Sequence, residues 1–226
     1  MRTNRRWFRK SLILLVLPLV FALYAMANGD GDRKETEYRW DIIHVSSFSP
    51  LTVNAGGFAS ALANDGSKIT VTGNGTFEPR EPDEVTGGGT WTTYAPDGTT
   101  VTGSGTYRVR ELVRFTLAPG FGNAASIDNI PGATGDVSDH RAGLLFVKIA
   151  YSDGSKGILV VSCRLPGGPD FVTRPPAPAS IFEGITASKG YVDYWSRVPP
   201  IGPPTPVDGN RTLFHVFSQD ETRDRE

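Results

Sequence analysis

The chain has 226 residues, 38% hydrophobic and 10% aromatic, with 23 basic against 24 acidic side chains and a formal charge of −1. That is the composition of an ordinary folded domain large enough for one core. A single cysteine, Cys163, excludes an intrachain disulfide, and the absence of a basic face in the expected domain argues against nucleic acid as a partner.

The N-terminus carries Arg2, Arg5, Arg6, Arg9 and Lys10 ahead of an uninterrupted apolar or small run over residues 12–27, with no acidic residue before Asp30. This pattern predicts a secretory signal peptide over residues 1–27. The run contains Pro18 and falls short of the roughly 20 residues needed to span a bilayer. Ala25-Met26-Ala27 supplies a small-x-small site, placing cleavage between Ala27 and Asn28; an uncleaved membrane anchor is the alternative. Asn4-Arg5-Arg6-Trp7-Phe8-Arg9-Lys10 resembles the twin-arginine export motif, departing from it at Asn4 and Arg9, while the leucine-rich run that follows suits general secretion better. The expected location is secreted, periplasmic or on the exterior of the cell envelope. Removing the five basic residues of the signal leaves 18 basic against 24 acidic, a net of about −6. Residues 28–35 then read as a solvated lead, 36–218 as a single domain and 219–226 as a charged tail.

Residues 38–48 read as the first strand and 51–63 as a second, rich in Gly and Ala, with Asn64-Asp65-Gly66-Ser67 as the hairpin turn that follows. Next, one phrase occurs three times: Val71-Thr-Gly-Asn-Gly-Thr-Phe77, Val85-Thr-Gly-Gly-Gly-Thr-Trp91 and Val101-Thr-Gly-Ser-Gly-Thr-Tyr107. Alternation places Val, both fixed glycines and the ring on one face, so the copies predict three successive antiparallel strands of a meander. Glycines inside strands point to strong coiling or to a neighbouring ring lying over bare backbone. A curved meander favours a closed or nearly closed small β-barrel, with a β-sandwich as the alternative. Residues 78–84, with Pro79 and Pro82, read as a solvated turn, and Ala95-Pro96-Asp97-Gly98 as a tight one.

From Val101 to Leu117 the alternation runs longer than a typical strand, so a bulge or bend should divide it. Glu111 falls on the apolar face if register holds; a bulge would turn it outward toward Arg110 or Arg114, and without one it is an interior carboxylate of catalytic interest. Residues 118–141 form a long aperiodic stretch, a candidate pocket rim. Residues 143–151 and 157–165, joined by Ser152-Asp153-Gly154-Ser155-Lys156, predict a hairpin whose turn echoes Asn64-Asp65-Gly66-Ser67-Lys68. Cys163 ends a strand-like run, where a buried inert thiol is expected. Residues 166–180 are proline-rich surface, 190–196 a strand, and 198–206 extended. Residues 211–217 read as a last strand able to close the sheet against the first.

Three histidines, His44, His140 and His215, make a metal site geometrically open, since barrel closure would bring the first and last strands together, although no HxH or HExxH spacing supports one. No G-x-S-x-G is present. Glu111, Glu183, Asp193 and Asp41 are the carboxylates available for paired acid–base work. Trp91, Tyr94, Tyr107, Trp195 and Tyr191 are the aromatics that suit a small-molecule or sugar ligand. Asn74-Gly-Thr76 and Asn210-Arg-Thr212 match the glycosylation acceptor pattern. In their glycine- and threonine-rich strands the copies resemble calycin-like and allene oxide cyclase-like barrels, with no diagnostic motif of either. No cofactor is predicted. The leading expectation is a non-catalytic exported binding or surface module; the alternatives are a small isomerase- or cyclase-like barrel enzyme using an interior carboxylate, and a structural envelope component.

Overall fold

Alternating apolar residues and β-branched side chains favour extended backbone along most of the chain. The computed structural model describes residues 36–120, 127–133, 137–165, 177–201 and 208–217, and these contain strands and no α-helix. In order they are β1 (Glu37–Phe48), β2 (Leu51–Ala55), β3 (Ala59–Leu62), β4 (Lys68–Val71), β5 (Asn74–Glu78), β6 (Glu81–Val85), β7 (Gly88–Tyr94) and β8 (Val101–Ala118). There follow β9 (Ile127–Asp128), a single 3-10 turn at Val137–Asp139, β10 (His140–Tyr151), β11 (Lys156–Cys163), β12 (Gly184–Lys189), β13 (Val192–Tyr194), β14 (Ser196–Arg197) and β15 (Asp208–Phe217). The predicted signal peptide and its cleavage point, the lead over 28–35 and the tail over 219–226 lie outside the described residues.

Six strands close on themselves in the order β1, β5, β7, β8, β10, β15, each step antiparallel, so the chain is an all-β barrel. The remaining strands are bonded outside this ring. β10 shows how: His140 and Arg141 pair with β15, whereas Gly143 to Ala150 pair with β11, so the wall divides along one strand. β12 and β13 extend the sheet beyond β11, and β4, β3 and β14 extend it beyond β7. β9 departs from the expected meander because it pairs with β2 in parallel.

Register decides which side chains face inward, because directly opposed residues share a face. Tyr38 lies opposite Phe77, and Trp40 opposite Phe214. Tyr38, Phe77, Phe115 and Phe214 meet inside the ring with centroids 4.8–5.4 Å apart along the chain of contacts Tyr38–Phe77, Phe77–Phe115 and Phe115–Phe214. Four strands thus contribute aromatic rings to the interior.

The three copies of the repeat do not form three equivalent strands. The first spans the break between β4 and β5, the second the break between β6 and β7, and only the third lies wholly within one strand, β8. The reason is close backbone approach: a Cβ on Gly89 would sit 2.0 Å from the carbonyl oxygen of Thr72, so the first two copies press their main chains together. The expected covering ring is present, since a Cβ on Gly103 would meet the Trp91 ring at 3.1 Å. Trp91 also donates its indole N–H to the Thr106 carbonyl at 3.1 Å, and Tyr107 its hydroxyl to the Thr72 carbonyl at 2.8 Å.

Three further readings change. Residues 190–196 are not one strand: β13 covers Val192–Tyr194 and pairs with β12, and β14 then pairs with β3. Residues 51–63 are two strands, split where Gly56 takes φ +84°. Residues 78–84 are not all turn: β5 and β6 form a short hairpin whose second strand is almost wholly exposed. The other turns stand as read. Asp65 accepts hydrogen bonds from Ser67, and Asp153 from Ser155, in the two matching turns; Asp97 accepts from Thr99 and Thr100. β15 closes on β1 over Glu37↔Phe217 to Val45↔Asp208.

Candidate functional site

The outer face of the closing strands carries a cluster of buried ionisable side chains. Because β10 and β15 pair as His140↔His215, both imidazoles stand on one face, opposite to the face of Phe214. Arg39, opposite His215 on β1, shares it. Between β8 and β10, residues 127–129 pair briefly with β2, Asn129 N–H donating to the Val53 carbonyl at 3.0 Å. That pairing delivers Asp128.

Asp128 Oδ2 lies 3.0 Å from His140 Nε2 and 2.7 Å from His215 Nε2, and Oδ1 accepts the Ile130 N–H at 3.0 Å. The rings meet edge to face with centroids 5.0 Å apart. All three side chains are 1–2% exposed. Burial acts to raise the Asp128 pKa, but the hydrogen bonds from His140, His215 and Ile130 and the charge at His215 outweigh it and hold the carboxyl well below the usual carboxylate range. With neutral rings, each Nε2–H donates to the carboxylate. His215 Nδ1 then has no hydrogen-bond partner among the described residues. Beside this group Arg39 forms a two-point ion pair with buried Asp41, Nε and Nη2 each 2.8 Å from a carboxylate oxygen.

The three histidines proposed from sequence therefore divide. His140 and His215 come together, while His44 sits five residues along β1 from Arg39, opposite Asn54 of β2. Antiparallel closure brings the strands together but offsets the two side chains. Asp128 takes the third place, and the sequence signal for it was weak, a lone acid in an aperiodic stretch.

Glu111 is on the outer surface, bound to Lys148 Nζ at 2.7 and 2.8 Å, and is no interior carboxylate. Two bulges explain it. Pairing with β10 skips Arg110 and Val113, so Val109, Leu112 and Phe115 point inward while Glu111 turns out, toward Lys148 rather than toward its own strand's arginines. Glu183 is used for structure: Oε2 accepts the Arg164 N–H at 2.6 Å and Oε1 the Thr212 N–H at 2.7 Å. Desolvation of this carboxylate pushes its pKa up to about 7 against those favourable hydrogen bonds. Cys163 is fully buried, and burial, then the neighbouring Glu183 charge, raises its thiol pKa. Asn210, half of a glycosylation pattern, is buried, accepts the Ser60 N–H at 2.7 Å and donates to Pro199 O at 3.1 Å, which removes it as an acceptor.

The aromatic candidates also separate. Trp91 and Tyr107 are core residues packed with Tyr151 at centroid distances of 5.7 Å (Trp91) and 6.4 Å (Tyr107), and Lys189 Nζ caps Trp91 at 4.3 Å. Tyr107 also borders a groove lined with Arg108, Arg110, Tyr151 and Ser152. Tyr94 lies under Lys68 Nζ at 4.2 Å. Trp195, by contrast, is 58% exposed and Tyr191 wholly so. Around β13 exposure alternates: Tyr191, Asp193 and Trp195 point out and Tyr194 in. No protein-family model, no curated protein and no solved structure matches the chain.

Proposed function

We propose that the protein is an exported, non-catalytic β-barrel binding module that presents the β13 edge to a carbohydrate. The observation that carries this reading is the outward row Tyr191, Asp193, Trp195. Only Asp193 lies within β13; Tyr191 stands in the turn before it and Trp195 directly follows it, all three exposed while Tyr194 is buried, and four steps of extended chain put the two α-carbons at most roughly 13 Å apart. Ring faces stack on the C–H faces of pyranoses, and a carboxylate between them accepts hydroxyl hydrogen bonds. Neither ring contributes to the core, so packing gives no reason for two large aromatics there. β13 pairs only with β12 among the described strands, which leaves its outer side open to a long ligand. The aromatic packing inside the ring and the outward Glu111 support a surface module over a barrel enzyme that uses an interior carboxylate.

The test is binding of the secreted chain to soluble and insoluble polysaccharides, followed by affinity electrophoresis and calorimetry. Wild type should bind at least one class, and Tyr191→Ala/Trp195→Ala should lose binding with an unchanged circular dichroism spectrum. Failure of wild type to bind any of them, or equal binding by the double variant, overturns the reading. Mass spectrometry of the chain from its exporting host should find Asn28 as the first residue.

A further inference from the structure

We infer that His140, His215 and Asp128 form a buried site for a divalent transition-metal ion of the zinc type. The inference is independent of the carbohydrate surface. Three donor atoms, an imidazole nitrogen from each of β10 and β15 and a carboxylate oxygen from β9, lie within 4.8 Å of one another. Asp128 and His140 lie 12 residues apart and His215 lies 87 from Asp128, and all three side chains are removed from solvent. Two imidazoles and one carboxylate suit zinc and its divalent neighbours, whereas magnesium and calcium prefer oxygen donors throughout. Charge points the same way. Asp41, Asp128 and Arg39 sum to one negative charge when the imidazoles are neutral, so the group as a whole favours a cation.

Binding rearranges protons without consuming any reagent. Each ring now directs Nε2 at Asp128 Oδ2. Metal binding forms two N–metal bonds and one O–metal bond; each neutral ring loses its Nε2 proton and gains one at Nδ1, with no net release, while an imidazolium would give one up. His215 Nδ1, which has no partner among the described residues, would then be a buried N–H without an acceptor, a feature that lowers affinity relative to a site with a complete second layer of hydrogen bonds. Three protein donors leave a remaining position for water. The ion would pin the segment carrying β9 to the closing strands of the barrel.

Because the donors are sealed, the full chain is unfolded and refolded with and without Zn2+, dialysed, and its metal counted by mass spectrometry; a parallel sample is refolded with Co2+. The expected results are one zinc per chain, a higher melting temperature that a chelator reverses during refolding, and the intense visible bands of four-coordinate cobalt. His140→Ala and His215→Ala should weaken binding at least tenfold, and His44→Ala should leave it unchanged. Substoichiometric zinc in the wild type, or the pale spectrum of hydrated cobalt, overturns the proposal even if the alanine variants fail to fold. Full binding by folded His140→Ala or His215→Ala variants also overturns it.

Discussion

Around Trp91 the molecule is held by rings laid over glycine backbone, all supplied by residues 72–107 with Tyr151 and Lys189 added; around Asp128 it is held by charge and hydrogen bonds among residues 39, 41, 128, 140 and 215. Both regions are sealed from water. The first gains stability from area and fit, which degrade gradually as atoms are removed. The second depends on completeness, because one missing partner leaves a buried donor with nothing to bind.

That contrast can be broken by mutation. The largest loss should come from Trp91→Ala, about 3–5 kcal/mol in denaturant unfolding, because a buried ring and the cover of Gly103 and Gly105 disappear together. Asp128→Ala should follow at about 2–4 kcal/mol, since two buried imidazole N–H groups lose their acceptor. If Asp128→Ala instead costs less than about 1 kcal/mol, in the range of an exposed pair, the cluster is not a stabilising unit.

Glu183 gives the pH arm. Its folded pKa of about 7 stands above the ordinary 4.5, so the folded chain binds this proton more tightly than the unfolded chain. Its contribution is therefore complete below about pH 4.5, declines as pH rises, and is flat above 7, a change of up to about 3 kcal/mol before discount for the residue's partial exposure. Glu183→Gln should flatten that slope in unfolding curves recorded from pH 4 to 8, at the constant cost of one hydrogen bond, since the amide nitrogen must face a backbone N–H.

Gly89→Ala sharpens the first region. One added methyl 2.0 Å from the Thr72 carbonyl oxygen would force the two main chains apart and should cost about 1–3 kcal/mol. The smallest effect belongs to the surface: Lys148→Ala, which frees Glu111, should change stability by less than about 1 kcal/mol and lose even that in high salt.

The two regions also differ in how far their residues announced them. The period of two, the Asp-Gly-Ser turns and the glycine-threonine phrase are local signals, and they carried the all-β barrel, the covering ring and the bulge that turns Glu111 outward. They did not show that the first two phrases would straddle strand breaks, because that depends on backbone meeting backbone between copies. The charged cluster was half legible: His140 and His215 were candidates, but choosing between His44 and Asp128 requires the β1–β15 register and the parallel pairing of β9. Neither is encoded in any single window of sequence. Asp128 sits in a stretch without periodicity, where an acid reads as solvated.

The pairing of β1 with β15 joins residues 37–45 to residues 208–217, nearly the full span of the described chain. Closing so long a loop costs entropy before any contact repays it, and pairings of this kind slow folding. The hairpins β3–β4, β7–β8 and β10–β11, with turns of a few residues, need no such search. The folding order this implies is local hairpins first and ring closure last. Until β15 emerges, β1 lacks the neighbour that buries Trp40 and Ile42 between strands. A chain therefore stays open along that seam until residues 208–217 are in place, and the interval before closure is when it is most exposed to mispairing.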